Sequence, residues 1–169
     1  MRPSLVRAAR PATRLLPLVG LAGLALLTAC GPTSLEGSLT ELLTLHYQTA
    51  EVTRTGDTVA VRFYTPRGKG EDLVLAVAAN TAGLELAAKT PVDLSEAAPS
   101  GQQRGELTRN VLNDPRTTLP GIQIGTLTLD QLPEKTGDTI TGKFNVTFVE
   151  CINFGCGRTV FGSFKGQVP

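Results

Sequence analysis

The 169-residue chain has no tryptophan, one histidine, one methionine, three cysteines, two tyrosines and six phenylalanines. Each scarcity narrows the functions open to it. Without tryptophan it makes a poor carbohydrate-stacking platform. With one histidine, any Ser-His-Asp site must use His46, which falls on the polar face of a threonine-rich stretch with no distinctive serine motif to partner it. GxSxG, HExxH, P-loop and GxGxxG patterns are all missing. Structural zinc wants four ligands, or three and a water, and the cysteines outside the N-terminal segment number only two, Cys151 and Cys156. Blocks of like charge and low-complexity tracts are absent too. Glu71 and Asp72 are adjacent acids, but neighbours on a strand point to opposite faces and cannot readily flank one bond as a glycosidase pair must. Asp130, Glu134 and Asp138 surround a turn without the spaced oxygen ligands of an EF-hand loop. The residues therefore predict a protein that is not an enzyme and needs no metal or cofactor.

Long apolar stretches are also scarce. The longest runs from Leu15 to Leu27, about 13 residues with a proline and two glycines, whereas a membrane-crossing helix needs roughly 20. Arg2, Arg7, Arg10 and Arg14 precede or open this run, and Leu27-Thr28-Ala29-Cys30 closes it. A charged start, an apolar middle and small residues before a cut make an export signal over residues 1–29. There is no adjacent arginine pair of the twin-arginine type. A plain secretory signal does not need Cys30 beside its cleavage site.

Leu-Thr-Ala-Cys resembles the lipobox of bacterial lipoproteins. The resemblance implies a diacylglyceryl thioether on Cys30, cleavage before it, and retention on a membrane. Two acyl chains suffice for stable anchoring at roughly 0.8 kcal/mol per buried methylene. Gly31 stands where enteric-type sorting places an inner-membrane-retaining aspartate. The resemblance thus favours the outer membrane over the inner. Removal of residues 1–29 also changes the charge. Twelve basic residues then face fifteen acidic ones, a formal charge of −3, which offers no electrostatic case for nucleic acid. Residues 30–38 read as a lipidated, flexible tether with roughly 16 Å of reach, and residues 39–169 as one β domain.

In an oxidising exported compartment, Cys151 and Cys156 are expected to form a disulfide. Closing so short a loop contributes about 2 kcal/mol in the chain-entropy picture. Ile152, Asn153 and Phe154 lie inside the closed loop, and two apolar side chains on a rigid loop form a candidate contact with a partner or a bilayer.

Downstream of the tether the hydrophobic period is two. In residues 138–150, Ile140, Phe144, Val146 and Phe148 share one parity, while Thr139, Thr141, Lys143, Asn145 and Thr147 take the other. Residues 58–64 repeat the pattern with Val59, Val61 and Phe63 inward, after a Thr55-Gly56-Asp57 turn signal. Leu43, Leu45 and Tyr47 alternate before that turn, which predicts a hairpin. Residues 73–79, apolar at both parities, fit a central strand better than a short helix. Residues 104–112 are a weaker strand, and 97–105 a loop. In residues 122–129 the apolar parity switches, and a bulge at Gly125 would turn Ile122, Ile124, Leu127 and Leu129 all inward. About seven or eight strands without a long amphipathic helix predict an all-β fold, an antiparallel β-sandwich with a small β-barrel as the alternative. Matching apolar faces in the last hairpin predicts Phe144 opposite Phe164, Phe148 opposite Val160 and Gly142 opposite Gly166. Cys151 and Cys156 do not fit that register, so an irregular turn is expected within residues 149–158.

TGDTVAVRFY, LPGIQIGTLTL, TGDTITGKFNVTF and TVFGSFKGQV together resemble many predicted lipoproteins of Gram-negative bacteria, with paired G-x-F strands at Gly142–Phe144 and Gly162–Phe164. That resemblance implies a β domain on a lipid anchor and no activity. The expected function is an envelope lipoprotein whose β-sandwich makes structural or protein–protein contacts. The alternative is a binder of lipid or another small apolar ligand, which requires an internal cavity above about 300 Å³.

Overall fold

The computed structural model describes residues 33–149 and 156–169. The fold is all-β. Eight strands form one sheet: β3 (Thr49–Thr55), β4 (Thr58–Arg67), β5 (Gly70–Asn80), β6 (Val92–Asp93), β7 (Gly105–Asn110), β8 (Ile122–Leu129), β9 (Thr139–Phe148) and β10 (Thr159–Gln167). Their order is β6-β8-β9-β10-β3-β4-β5-β7. A short ribbon pairs β1 (Thr33–Ser34) with β2 (His46–Tyr47). One 3-10 turn, Ser38–Glu41, is the only helical element among the described residues. All pairings are antiparallel except that between β10 and β3, which rests on the single pair Gln167–Glu51.

The sheet curls around one core in a sandwich-like or barrel-like arrangement. Residues 80–104 link the two edges of the sheet. They place β6 beside β8, then return to β7 beside β5. On the way Leu94 bonds both sides: its N–H donates to Gly125 O and its carbonyl accepts from Gly105 N, each at 2.8 Å. Further along β7, Arg109 N donates to Thr117 O and Leu119 N to Leu107 O. The outer edge of β7 is thus covered by two short segments rather than left as an open template for aggregation.

Alternation explains most of the strands. In β9 the residues with inward parity, Ile140 to Phe148, are buried and those between them are not. The β3–β4 and β4–β5 connections are two-residue turns in which Gly56 and Gly68 take positive φ, as the first central position of a type II′ turn requires. Residues 73–79 lie in β5, where both parities are largely covered. Leu43, Leu45 and Tyr47 are buried as expected, but the strand breaks at Gln48, after which Ala50 and Val52 turn inward. The parity switch in β8 occurs at Gln123, not Gly125. Ile122 pairs with Phe148 and Ile124 with Thr147, so the bulge leaves Ile124 outside, 64% exposed. Gly125 instead makes room for Ile122, whose Cγ2 lies 2.9 Å from where a Cβ on that glycine would sit.

Two expectations are corrected. Residues 33–38 are not a flexible tether. β10 and β3 touch at one pair and diverge, and residues 33–38 fill the gap. Glu36 and Phe161 exchange two backbone hydrogen bonds at 2.9 Å, and Leu35 and Leu39 are buried in the core. The folded domain therefore includes residues 33–38 rather than starting at residue 39. Residues 1–29, Cys30 and the rest of the expected tether lie outside the described residues.

The hairpin register also differs. Phe144 pairs with Gly162, and Phe164 with Gly142. The slip is two residues, so every side chain keeps its face. Each glycine of the two G-x-F motifs sits opposite the phenylalanine of the other, which seats both rings where two facing phenylalanines would crowd. Gly142 is confined: a Cβ there would strike Thr128 O and come within 2.7 Å of the Phe164 ring. Gly142→Ala is therefore expected to cost about 1–3 kcal/mol through overpacking, read as a lower urea midpoint. An unchanged midpoint would show that β8 and β9 can spread freely.

Candidate functional site

The enclosed apolar cavity, lined by Val59, Ala79, Leu86, Val92, Leu127 and Leu129 among others, holds only about 10 Å³. Among the described residues, Phe63 is one of the largest fully buried side chains. Its ring lies 4.8 Å from that of Tyr47, 5.8 Å from Phe144 and 6.0 Å from Phe164. Burial pushes the Tyr47 hydroxyl pKa up.

An open groove of about 350 Å³ at one end of the sheet is lined by Leu42, Thr44, His46, Val74, Arg109, Leu112 and Arg116, with Asp72 and Asp114. Arg109 has the inward parity of Leu107 on β7 and only 2% of its side chain is exposed. An inward guanidinium needs a carboxylate, and the loop after β7 supplies Asp114. Arg109 Nη1 donates to Asp114 Oδ2 at 2.6 Å. Arg116 donates through Nε to Oδ1 and through Nη2 to Oδ2, both at 2.8 Å, while its backbone N–H also reaches Oδ1. Arg116 Nη1 in turn reaches Leu42 O at 3.3 Å. Across the groove, Asp72 pairs with Arg67 at 3.1 Å and accepts from Leu112 N.

Both Asp114 oxygens are therefore engaged. The Arg116 side chain first, then its backbone N–H, then Arg109, hold this carboxyl well below the usual range. These bonds tie the 111–116 loop to the buried Arg109. A depressed carboxyl stabilises the fold at pH above its unfolded value of about 3.9, and that contribution fades as pH falls toward the folded value. Asp114→Asn is expected to be less stable at neutral pH and to flatten the acid slope below about pH 4. Chemical denaturation at several pH values checks this, and parallel slopes in both proteins would refute it.

The residues singled out from sequence are distributed as follows. His46 is exposed on β2, and its carbonyl accepts from Thr65 Oγ1 at 2.8 Å. Asp130 accepts from Thr141 Oγ1, and Asp138 from Lys135 N, so these carboxylates are held locally. Among the described residues no group of three or more His, Cys, Asp and Glu side chains is placed to hold a metal. Cys156 is exposed, and Gly157 after it takes positive φ. Cys151, Ile152, Asn153 and Phe154 lie outside the described residues, but the β9–β10 ladder ends at Thr147–Thr159, before the cysteines.

Sequence reading missed the Arg109–Asp114–Arg116 cluster. Its signal was Arg109 sharing parity with Leu107 in the 104–112 strand. It also missed Phe161, which is 41% exposed and opposite in parity to Val160 and Phe164. No helix among the described residues is long and apolar enough to cross a membrane. Comparison with known protein families, with characterised proteins and with solved structures finds no match to this chain.

Proposed function

We propose that this protein is a lipid-anchored envelope lipoprotein, attached through Cys30, whose non-enzymatic β domain makes structural or protein–protein contacts. The observation that carries this reading is the Leu27–Cys30 lipobox behind a charged and apolar leader. The small size of the apolar cavity between Val59, Ala79, Leu127 and Leu129 supports contact over ligand storage: about 10 Å³ has no room for an acyl chain. The saturated state of Asp114 in the open groove supports a role other than acid–base catalysis. The outer membrane is the favoured location, on the residue that follows Cys30. Cross-linking of the lipidated protein in native membranes, followed by isolation of its adducts, tests the contact role. Recovery of a defined envelope protein is the expected result, and co-purification of a stoichiometric lipid or apolar ligand from the domain itself would favour the binder instead.

The proposal includes a Cys151–Cys156 disulfide that closes the loop carrying Ile152, Asn153 and Phe154 as a contact element. The unreduced mature protein is expected to take up no thiol-alkylating reagent, and reduction to cost about 2 kcal/mol or less with the fold kept. Alkylation of both cysteines before reduction would refute the bond.

A further inference from the structure

Arg109 is a buried cation whose hydrogen-bonding capacity is only partly used. A guanidinium has several N–H donors in a fixed fork, and burying its charge is costly unless they are met. Asp114 accepts from Nη1 alone. Arg109 Nε is buried without a hydrogen-bond partner among the described residues. Asp114 thus leaves unspent the Nε–Nη2 edge, which can grip a carboxylate through two parallel bonds. Arg104, also buried, differs. Glu96 lies 3.9 Å from its Nε, and its Nη1 donates to Asn80 O and Ala82 O, so that guanidinium ties down a loop. Arg109 instead lines the open groove of about 350 Å³.

The charges around the groove do not cancel. Arg109 and Arg116 share the single carboxylate of Asp114. Asp72 is answered by Arg67, and Glu41, next to Leu42, by Arg158. Lys69 and Glu71, at the adjoining end of the β4–β5 hairpin, offset each other in formal charge. The balance is one positive charge before any contribution from His46, which suits a monoanion. The groove also has an apolar side. Leu42 and Leu112 line it and are 39% and 56% exposed, and the buried Val74 lines it with them. Exposed apolar side chains gathered in one concavity beside a buried, half-used cation are the features of a ligand site.

We propose that this groove binds a carboxylate carried on an apolar group. The carboxylate sits on the Nε–Nη2 edge of Arg109, and the apolar group lies against Leu42 and Leu112. Two sources share that chemistry: the C-terminal residue of a protein chain and a free branched organic acid. Arg109 Nε is closed to solvent, so entry requires a shift of the 111–116 loop, which carries Leu112, Asp114 and Arg116. The site uses no part of the Cys30 anchor and stands apart from that reading.

Nuclear magnetic resonance titration of the mature protein in phospholipid nanodiscs, with empty nanodiscs as the blank, tests it. If the chain carries no lipid, the same titration runs in buffer, so failure of the anchor and failure of the groove are read separately. The probes are N-acetyl-leucine, which mimics a chain end, and 4-methylpentanoate, a free acid with the same branched group. Both are expected to shift the Arg109 Nε–H signal and the amides of residues 111–116 saturably. N-acetyl-leucinamide, the neutral analogue, is expected to bind roughly tenfold more weakly or not at all. Tighter binding of N-acetyl-leucine assigns the site to a chain end, and equal or tighter binding of 4-methylpentanoate assigns it to a free acid. Leu112→Glu, at an exposed position that leaves the buried arginine alone, is expected to weaken both acids at least fivefold. Arg109→Lys keeps the charge, removes the fork and is expected to weaken them further. Equal binding of the amide, or equal binding of inorganic phosphate, would overturn the proposal. So would unchanged binding to Leu112→Glu, or saturable shifts confined to residues outside the groove, or no saturable shift at all.

Discussion

Cys30→Ser is expected to abolish lipid attachment, together with the lipoprotein-type cut before residue 30. A thioether needs the cysteine sulfur, and serine offers no thiol for it. The acyl chains on that sulfur and on the new N-terminus are the expected source of retention, at roughly 0.8 kcal/mol per buried methylene. Intact mass and membrane fractionation read both effects. A Cys30→Ser protein still fully bound and cut at the same bond would overturn the lipoprotein reading. The substitution touches none of the strand pairings of residues 33–149 and 156–169, so a folded domain is expected.

Phe63→Ala is expected to cost about 3–5 kcal/mol, the largest stability loss from one side chain in this molecule. Phe63 is fully buried, and its ring meets those of Tyr47, Phe144 and Phe164. These neighbours come from β2, β9 and β10, so deletion of one ring opens a void that no single strand can close. A domain of this size has only about 5–15 kcal/mol in total, so the variant is expected to lose a large share of its stability. Urea unfolding of the domain gives the measurement. A cost below about 1 kcal/mol would mean that the surrounding strands collapse onto the site. Phe161→Ala, on the outer face, is the matched control and is expected to stay within about 0.5 kcal/mol of the parent.

Residue pattern made the β class legible because strand alternation is local. Ile140 to Phe148, Val59 to Phe63 and Val160 to Phe164 announce their buried faces without reference to any other strand, and Thr55-Gly56-Asp57 announces its turn. The candidate site was less legible. Arg109 reads as an ordinary strand residue until its inward parity is set beside Asp114, and the carboxylate arrives through a loop whose path depends on the closure of β7. Ile124 could be placed inside or outside with equal logic, because the position of a one-residue bulge depends on what the partner strand presents.

The amino-acid sequence by itself determined the all-β class and the face that most residues of the main strands occupy. Those features depend on neighbours within a few residues. Tertiary structure decided the register of β9 with β10, the insertion of residues 33–38 between β10 and β2, the covering of the β7 edge and the burial of Arg109. A two-residue slip preserves every side-chain face, so alternation cannot detect it. Only the space across the ladder, where Gly142 accommodates Phe164 and Gly162 accommodates Phe144, selects the observed register. The tether was misread for the same reason. Residues 33–38 are short and contain glycine, and their place in the core depends on a gap that exists only once β10 and β3 diverge.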